Sequence, residues 1–342
     1  MPAQEAPLGE KKMSAVMPAA IPDLRSELIN WKERLEASAR NSADAFPLGR
    51  LLREVSDAID QLSHDGYGVC QVCHDLIGQA AMNADPLARF CLSCLSPEQL
   101  DELGRDLDRA WLIQGELLPK HDFKFNGWQV SYRYEPAGPV SGDYCDLVSA
   151  ENGDLYFLIG DVSGKGVAAS FLMARLHAIF RSLIMAGFSV RELVERANQL
   201  FAENTMRPYY ATLVCGKAGA DGEVEICNAG HCAPLLLHGS EVTAIDSTGL
   251  PVGMFCRETY ATSRISLAKG DRLLLYTDGL SEARDSGNIE YGHKRLQVLL
   301  SESSDLPAAA LVGKLIDDVR GFSSRPSPAD DLTIMAIEMV GH

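Results

Sequence analysis

Four short aspartate motifs constrain the fold of this 342-residue chain more than any other feature, because each lies beside an apolar segment. They are Ser141-Gly-Asp-Tyr144, Ile159-Gly-Asp-Val-Ser-Gly-Lys-Gly166, Tyr276-Thr-Asp-Gly279 and Ala329-Asp-Asp-Leu-Thr333. An acid at the end of a strand projects from the edge of a sheet, where a small neighbour lets a ligand come close. Strands from distant parts of the chain must end at a common edge if these carboxylates act together.

The aspartates of these motifs are candidate ligands of a hard cation. Mg²⁺ and Mn²⁺ prefer oxygen ligands and retain several waters, so carboxylates from distant segments could converge on them. Each aspartate taken alone also fits an ordinary turn or helix cap, because Asp-Gly is a common turn dipeptide. The ordered set of motifs favours the metal site. The segment from Gly160 to Gly166 lacks the spacer and the Ser or Thr of a Walker A loop, so nucleotide binding is not expected.

Composition and charge exclude several classes of protein. The chain is 46% hydrophobic and 23% charged, which is typical of a globular protein with a sizeable core. Its net charge of −16 argues against binding to nucleic acid or to anionic membranes. No run approaches the roughly 20 apolar residues of a membrane span. Residues 1–21 are interpreted as a disordered leader rather than an export signal, so a cytoplasmic location is expected.

The hydrophobic pattern changes at Pro119. Residues 22–63 show two segments of helical spacing, which predict a helical hairpin, and Ser96 and Pro97 begin a third predicted helix that ends before Pro119. Beyond that point the pattern predicts strands near 128–134, 155–162, 211–215, 272–276 and 332–339, and helices near 167–186, 190–206, 293–303 and 307–321. Asp221-Gly222 and His238-Gly239 are typical of hairpins. Together they predict an α+β sandwich.

Two cysteine pairs predict a zinc site upstream of that sandwich. Cys70-x-x-Cys73 and Cys91-x-x-Cys94 are separated by seventeen residues, a spacing typical of four-cysteine tetrahedral zinc. A closed shell of four thiolates leaves no position for a substrate, so the site is predicted to be structural. Four unrelated thiols or a redox pair are the alternatives, and His74 is interpreted as an exposed neighbour.

The sequence around these cysteines resembles the zinc finger of the DksA/TraR family. The resemblance rests on Asp65-Gly-Tyr-Gly-Val-Cys-Gln-Val-Cys-His-Asp-Leu-Ile-Gly and Pro86-Leu-Ala-Arg-Phe-Cys-Leu-Ser-Cys94. In that family a helical hairpin precedes the finger, and its acidic tip enters the secondary channel of RNA polymerase. The resemblance therefore implies one structural Zn²⁺ and raises RNA polymerase or another protein as a partner. Here the hairpin is short, and its tip (residues 41–46) offers one clear carboxylate.

The second half of the chain carries a larger set of motifs, in one order. They are Arg133-Tyr-x-Pro-Ala, Gly142-Asp-Tyr, Gly160-Asp-Val-Ser-Gly-Lys-Gly, Asn228-Ala-Gly-His231, Gly249-Leu-Pro-Val-Gly253, Thr277-Asp-Gly-Leu and Asp330-Asp-Leu-Thr. Over residues 128–340 this set resembles the SpoIIE-like branch of the metal-dependent (PPM) serine/threonine protein phosphatases. The resemblance implies an α-β-β-α sandwich of two antiparallel sheets flanked by helices, with two Mn²⁺ or Mg²⁺ ions at one edge.

The resemblance also implies which residues hold these ions. The implied ligands, whose aspartates are also the catalytic residues, are Asp143, Asp161, the carbonyl of Val162, Asp278, Asp330 and Asp331. Asp161 would bridge both ions, and Asp143 would bind one of them. Asp278 would complete the other with one of the last acidic pair, in which Asp330 aligns better than Asp331. One departure from the branch is Ser141, at a position where a glycine is usual. A serine would be strained there if its backbone φ were positive.

Several further residues have two interpretations each. His231 could protonate the leaving group, but its Asn-Ala-Gly-His turn between strands favours a structural role. Lys165 could attract phosphate or only complement nearby acids. The five cysteines outside the finger are interpreted as small core residues: Cys145, Cys215, Cys227, Cys232 and Cys256.

The resemblance implies a hydrolase that acts through a metal-bound water, without a phosphoenzyme. Substrates in this branch are typically anti-sigma-factor antagonists of partner-switching pathways. The alternative is a non-catalytic regulatory scaffold that binds transcription machinery through the zinc module.

Four regions are predicted: the leader 1–21, the hairpin and finger 22–95, a linker helix 96–119 and the phosphatase domain 120–342. Because linker helices mediate dimerisation in related phosphatases, a homodimer through this helix is expected; its apolar stripe could instead pack on its own domain.

Overall fold

The computed structural model describes residues 21–41, 45–63, 67–78, 81–82, 86–94, 96–120, 123–203, 205, 209–323 and 328–341. The chain divides into two compact units, residues 1–95 and 96–342. The predicted leader up to residue 20 and positions 42–44 of the predicted hairpin tip lie outside the described residues.

The first unit contains the two predicted helices. Helix α1 spans Ile21–Asn41 and helix α2 spans Ala45–Ser63. The helices pack against each other and bury Leu28, Val55 and Ala58 between them. The finger follows, with a single bridge between Val69 and Leu76 and a 3₁₀ turn at Leu92–Cys94.

Helix α3 (Pro97–Leu117) opens the second unit at the residue that the sequence predicts. Ser96 is its N-cap and forms a capping box with Gln99, in which each side chain bonds the other residue's backbone N–H. The proline lies in the first turn, where its missing N–H costs nothing. The helix ends at Leu118, which is extended, as expected for a residue followed by Pro119.

Two antiparallel sheets form the centre of this unit. Sheet A has the strand order β1-β2-β11-β10-β7-β8, and sheet B has the order β3-β4-β5-β6-β9. The strands of sheet A are β1 (Phe123–Phe125), β2 (Trp128–Glu135), β7 (Leu235–His238), β8 (Glu241–Ala244), β10 (Arg272–Tyr276) and β11 (Leu332–Met339). Those of sheet B are β3 (Asp143–Ser149), β4 (Leu155–Val162), β5 (Ala211–Ala218), β6 (Glu223–Ala229) and β9 (Ser263–Ser266).

Helices cover the outer face of each sheet. Helices α4 (Val167–Met185) and α5 (Val190–Glu203) pack on sheet B, whereas α7 (Gly292–Ser301) and α8 (Ala308–Ser323) pack on sheet A. The short helix α6 (Asp278–Ser281) follows β10. This arrangement confirms the predicted α-β-β-α sandwich. Its central strands are buried on both faces, which explains their nearly continuous apolar sequences.

Strand β4 shows how the two cores are divided. Phe157 and Ile159 point into the core between the sheets, and Leu158 points into the core under α4 and α5, as the two-residue period of a strand requires. Helix α4 is long and apolar enough to cross a membrane by length and composition alone. In the structure one face of this helix packs on sheet B, where Met173, Phe180 and other residues are buried, and 28% of its most apolar window is buried.

The cysteines outside the finger follow the expected pattern only in part. Cys145, Cys215 and Cys227 are buried in the sandwich, as predicted for small core residues. Cys232 is half-buried, and Cys256 is exposed in a loop. The prediction is therefore wrong for Cys256, whose apolar neighbours in sequence are exposed with it: Phe255 is 52% exposed.

Candidate functional site

The ends of both sheets bring the aspartate motifs to one edge of the sandwich. Asp143 begins β3 and pairs directly with Asp161, the next-to-last residue of β4. Asp278 follows β10 as the first residue of α6. Asp330 and Asp331 directly precede β11, the neighbour of β10. We call these five residues the acidic edge.

Two glycines of the motifs are required by close packing at this edge. A Cβ atom on Gly160 would lie 2.6 Å from the carbonyl oxygen of Thr212 on the neighbouring strand. A Cβ atom on Gly279 would lie 2.0 Å from the carbonyl oxygen of Asp331. Because backbone atoms cannot give way as a flexible side chain can, glycine is needed beside both acids.

Asp143 is buried and is held by the opposite sheet. Its Oδ2 atom accepts a hydrogen bond from Oγ1 of Thr277, at 2.9 Å, and another from Oγ1 of Thr333. Burial raises the pKa of Asp143 well above its ordinary value, and the charge of Asp161 adds to this, while the threonine hydroxyls oppose it. The two threonines are site residues that sequence reasoning missed, although each belongs to one of the aspartate motifs.

Asp161 lies where the negative charges of the edge combine. Burial, followed by the charges of Asp278, Asp330 and Asp331, raises its pKa to about 8. Burial also raises the pKa of Asp278. Carboxylates that suppress one another's ionisation in this way need positive charge nearby, and an all-oxygen donor set fits Mg²⁺ or Mn²⁺. The residues present therefore fit the implied ions.

Lys165 supplies a positive charge at this edge. Its Nζ atom lies 2.8 Å from Oδ2 of Asp330, and the side chain is 63% exposed.

The carboxylates of the edge are not gathered as closely as the cysteines of the finger. Among the described residues, only the four cysteines form a group of three or more metal-binding side chains whose ligating atoms all lie within 4.8 Å of one another. The carboxylates are more widely spaced, so they must turn toward a shared ion in order to bind it.

The last two acids have different surroundings. Asp331 is buried, and its two carboxylate oxygens accept hydrogen bonds from the backbone N–H groups of Ala137 and Gly142, at 2.8 and 2.9 Å. Asp330 is half-exposed and bonds Lys165. Asp331 thus fixes the loop between β2 and β3, which leaves Asp330 as the better candidate ligand.

His231 is a buried structural residue. Its Nδ1 atom is 2.8 Å from Oγ1 of Thr212, and its backbone N–H donates to the side chain of Asn228. Burial lowers the pKa of His231 to about 4, so the imidazole is neutral at pH 7 and is a poor proton donor for a leaving group. Of its two interpretations from sequence, the structure favours the structural one.

The four cysteine sulfurs of the finger lie within 4.8 Å of one another. The Sγ atoms of Cys73 and Cys91 are 3.7 Å apart. In a tetrahedral zinc site with Zn–S bonds of roughly 2.3 Å, two sulfur atoms are about 3.8 Å apart, so the observed distance matches. Backbone N–H groups of Cys73, Cys91 and Val72 lower the pKa of the Cys70 thiol to about 6, which favours a thiolate at this position. Hydrogen bonding to Cys91 and Cys73 raises the pKa of the Cys94 thiol to about 12, so without a metal the four thiols do not ionise together. His74 is exposed. The cluster is compatible with a structural zinc finger.

The raised pKa of Asp161 predicts how pH affects the metal-free protein. An unfolded aspartate loses its proton near pH 4, whereas folded Asp161 keeps its proton up to about pH 8. The folded state therefore binds more protons than the unfolded state between these pH values. The free energy of unfolding falls as pH rises from about 5 to 8, by at most about 1.4 kcal/mol per pH unit for each extra proton that the folded state holds.

Thermal unfolding in chelator at pH 5, 6.5 and 8 measures this effect. We expect the midpoint temperature to fall across the series and Mn²⁺ to remove most of the decline. The same slope in Asp161→Asn as in the wild type would contradict the assignment, because that variant has no carboxyl to titrate.

Comparison with known proteins gives consistent results. Residues 151–340 match the family model described as Stage II sporulation protein E (SpoIIE). Protein IcfG of Synechocystis sp. is 27% identical over 284 residues, which cover 71% of this chain and 43% of IcfG. Phosphoserine phosphatase RsbP of Bacillus subtilis is 26% identical over 218 residues, which cover 62% of this chain and 52% of RsbP. The chain thus spans about half the length of these relatives.

Solved structures show the same fold. The SiaA-PP2C domain of Pseudomonas aeruginosa superposes with a TM-score of 0.62 at 18% identity, over 70% of this chain and 97% of that one. The RsbU and RsbW domains of Rv1364c from Mycobacterium tuberculosis give a TM-score of 0.53 at 25% identity, over 63% of this chain and 60% of that one. Because the family model covers more than half of the sequence, this chain belongs to the SpoIIE family, of the PPM type.

Proposed function

We propose that this protein is a metal-dependent serine/threonine protein phosphatase. The observation that carries the proposal is the acidic edge, where burial and neighbouring charges raise the pKa of Asp161 to about 8. Such a site is suited to divalent cations rather than to isolated acid–base chemistry. Membership of the SpoIIE family supports it, since RsbP and RsbU of Bacillus subtilis are both named phosphoserine phosphatases.

Two Mn²⁺ or Mg²⁺ ions would be held at the edge by one set of ligands: Asp143, Asp161, the carbonyl of Val162, Asp278 and Asp330. Bound there, such ions supply a water of lowered pKa and neutralise charge on a phosphoryl group. Thr277 and Thr333 fix the carboxylate of Asp143 in one orientation.

Other residues at the edge serve the substrate. The exposed ammonium of Lys165 attracts the phosphate group toward the acids. His231 is buried and neutral, so the proton for the leaving alkoxide comes from water.

For the substrate, we propose a small phosphorylated antagonist of an anti-sigma factor, as is typical of this branch. The second candidate is a regulatory scaffold that binds transcription machinery through the finger. The exposed apolar residues of the finger favour a protein partner for this module: Val72, Leu76 and Phe90.

Phosphate release from a phosphoserine antagonist protein, with and without Mn²⁺, tests the enzyme proposal. We expect turnover that requires the metal and disappears in chelator. No turnover by the wild type with a panel of such phosphoproteins, in the presence of Mn²⁺, would favour the scaffold.

The cysteine cluster is proposed to hold one structural Zn²⁺, because it offers a closed set of four thiolates.

The redox state of the cysteines bears on the location of the protein. None of the nine cysteines of the chain, all of which lie in the described residues, forms a disulfide. Free thiols are typical of a reducing compartment, which supports a cytoplasmic location.

Asp330 and Asp331 are expected to respond differently to replacement by asparagine. Asp330→Asn should weaken Mn²⁺ binding at least tenfold with little change in stability, since the side chain is half-exposed. Asp331→Asn places an amide N–H against a backbone N–H donor, which should lower stability by about 1–3 kcal/mol. Calorimetric Mn²⁺ titration and urea unfolding measure the two effects. Equal loss of metal affinity with no loss of stability in Asp331→Asn would reverse the assignment.

A homodimer through α3 is also proposed. The helix leaves large apolar side chains exposed, among them Leu103 and Trp111, and a second copy of the helix would cover them. Light scattering should give the mass of a dimer for the wild type and of a monomer for Leu103→Asp combined with Trp111→Asp, whereas Glu102→Gln should stay dimeric. An unchanged mass in the double variant would remove α3 from the interface.

A further inference from the structure

Helix α3 buries a polar residue rather than an apolar one. In this helix, all of which is described, Gln114 is the one buried residue, at 6% exposure. Its neighbours Leu112 and Ile113 are 60% and 66% exposed. Burying an amide costs free energy unless its donor and acceptor are both bonded, so the partners of this side chain indicate its purpose.

Both ends of the Gln114 amide bond a single residue of the loop before β3. Nε2 of Gln114 donates to the carbonyl oxygen of Ser141 at 2.8 Å, and the backbone N–H of Ser141 donates to Oε1 of Gln114 at 3.0 Å. Ser141 is fully buried and does not adopt a positive φ, so a serine fits here without strain. The side chain thus holds the Ser141 backbone as a neighbouring strand would.

Ser141 in turn contacts the acidic edge. Its Oγ atom accepts a hydrogen bond from the backbone N–H of Asp143 at 3.0 Å. The intervening Gly142 packs so tightly that a Cβ there would lie 3.0 Å from the carbonyl oxygen of Val162 and 3.3 Å from Oδ1 of Asp161. A shift of the Ser141 backbone therefore moves Asp143 and presses Gly142 against the proposed ligands.

The loop has two further anchors, both in the sandwich. Asp331 accepts hydrogen bonds from the backbone N–H groups of Ala137 and Gly142, so it ties the loop to the end of β11. The N–H of Val162 donates to the carbonyl oxygen of Gly142 at 3.3 Å, which ties the same loop to the end of β4. Of these anchors, only Gln114 comes from an element outside the sandwich core.

We infer that Gln114 is a positioning residue, which sets the place of Asp143 at the acidic edge through Ser141. This inference rests on the proposed phosphatase function and deepens it, because it makes the seating of α3 a condition for metal binding at that site. Catalytic groups must be held within about 0.5 Å of their productive positions, and a misplacement of about 1 Å can cost roughly a hundredfold in rate.

Gln114→Leu in the full-length chain is the first test. Leucine has a similar size but cannot bond Ser141. We expect Mn²⁺ affinity, measured by calorimetry, to fall about tenfold and kcat to fall about 10- to 100-fold, as for partners that orient metal ligands, with KM nearly unchanged. Glu102→Ala, which alters an exposed residue of the same helix, is the matched control and should behave as the wild type.

Gln114→Glu is the second test and does not depend on the leucine variant folding. Ionised, the new carboxylate keeps an acceptor for the Ser141 N–H but repels the Ser141 carbonyl; protonated, it reproduces both bonds. Burial favours the protonated form, so the ratio of variant to wild-type Mn²⁺ affinity should rise as pH falls from 8 to 6. A replacement that disturbs packing alone would leave this ratio constant.

The outcomes separate the inference from the proposed function. A folded Gln114→Leu variant with wild-type Mn²⁺ affinity and kcat, or a Gln114→Glu ratio that stays well below one and does not change with pH, overturns the inference. A Gln114→Glu ratio near one at every pH supports it, because the new carboxyl then keeps its proton and both bonds to Ser141. If the wild type binds Mn²⁺ but releases no phosphate, the proposed function fails, and the calorimetric measurements still decide the role of Gln114.

Discussion

Replacing Asp161 with asparagine should lower kcat/KM for phosphoserine hydrolysis by about a thousandfold or more. Asp161 is the central acid of the edge: it pairs with Asp143 in the β3–β4 register, and the charges of Asp278, Asp330 and Asp331 act on it. An amide cannot replace a bridging carboxylate, and metal ions contribute several kcal/mol to such reactions, at 1.36 kcal/mol for each factor of ten. Phosphate release in saturating Mn²⁺ measures the loss.

The same variant should gain stability when no metal is bound. Above about pH 4 the folded state must hold a proton on Asp161 that the unfolded chain has lost, or must ionise it among the other acids, and asparagine removes this cost. Thermal unfolding in chelator should therefore shift upward at pH 8. Asp246→Asn, at an exposed acid of the same unit, is the matched control and should change neither kcat/KM nor the midpoint temperature in chelator. Full Mn²⁺-dependent activity in Asp161→Asn would exclude a bridging role, and a lower midpoint temperature would mean that lost activity reflects damage to the fold.

Replacing Cys91 with serine should remove zinc from the purified protein and unfold the finger. The cysteine cluster joins residues 67–78 to residues 86–94, and the core beside it contains few buried side chains: Cys70, Ile77 and Met82. So small a core needs a metal, and structural zinc contributes about 10–16 kcal/mol in comparable fingers. A chromophoric chelator should detect one equivalent of zinc in the wild type and less in Cys91→Ser.

Limited proteolysis locates the effect of that replacement. Cleavage within residues 67–94 should become fast in Cys91→Ser, while the sandwich, a separate compact unit, keeps its thermal transition. Cys256→Ser changes an exposed cysteine outside the cluster and should leave zinc content and proteolysis unchanged. A full equivalent of zinc in Cys91→Ser would show that three thiolates suffice.

The pattern of apolar segments was sufficient to predict the α+β sandwich, and the resemblance carried by the ordered motifs implied its two antiparallel sheets with the acids at one edge. The resemblance favoured Asp330 over Asp331, but the sequence could not show what either side chain contacts. Both are aspartates in the irregular segment before β11, and no strand period sets which way a side chain points there. Only the contacts show that Asp331 bonds two backbone N–H groups, while Asp330 faces Lys165.

Two other features escaped sequence reasoning for related reasons. Strand β3 was not predicted, because Asp146 interrupts its apolar residues and an acid is usually found at the surface. In the structure Asp146 is fully buried and accepts hydrogen bonds from both Nε and Nη2 of Arg181. The role of Gln114 was hidden because helical periodicity directs attention to the apolar residues of a stripe. In α3 several of those residues are exposed, and the amide is buried.

The acidic edge is divided between the two sheets, and this division has a mechanical consequence. Asp143 and Asp161 belong to sheet B, whereas Asp278 and Asp330 extend from sheet A, as do both threonines that hold Asp143. In the proposed metal site, the layer of side chains between the sheets would therefore set the distance between the ligands of sheet A and those of sheet B. A smaller side chain at Phe157 or Leu273, both fully buried in that layer, would change this distance without touching a proposed ligand. Selection for metal affinity would then act on the hydrophobic core as well as on the acids.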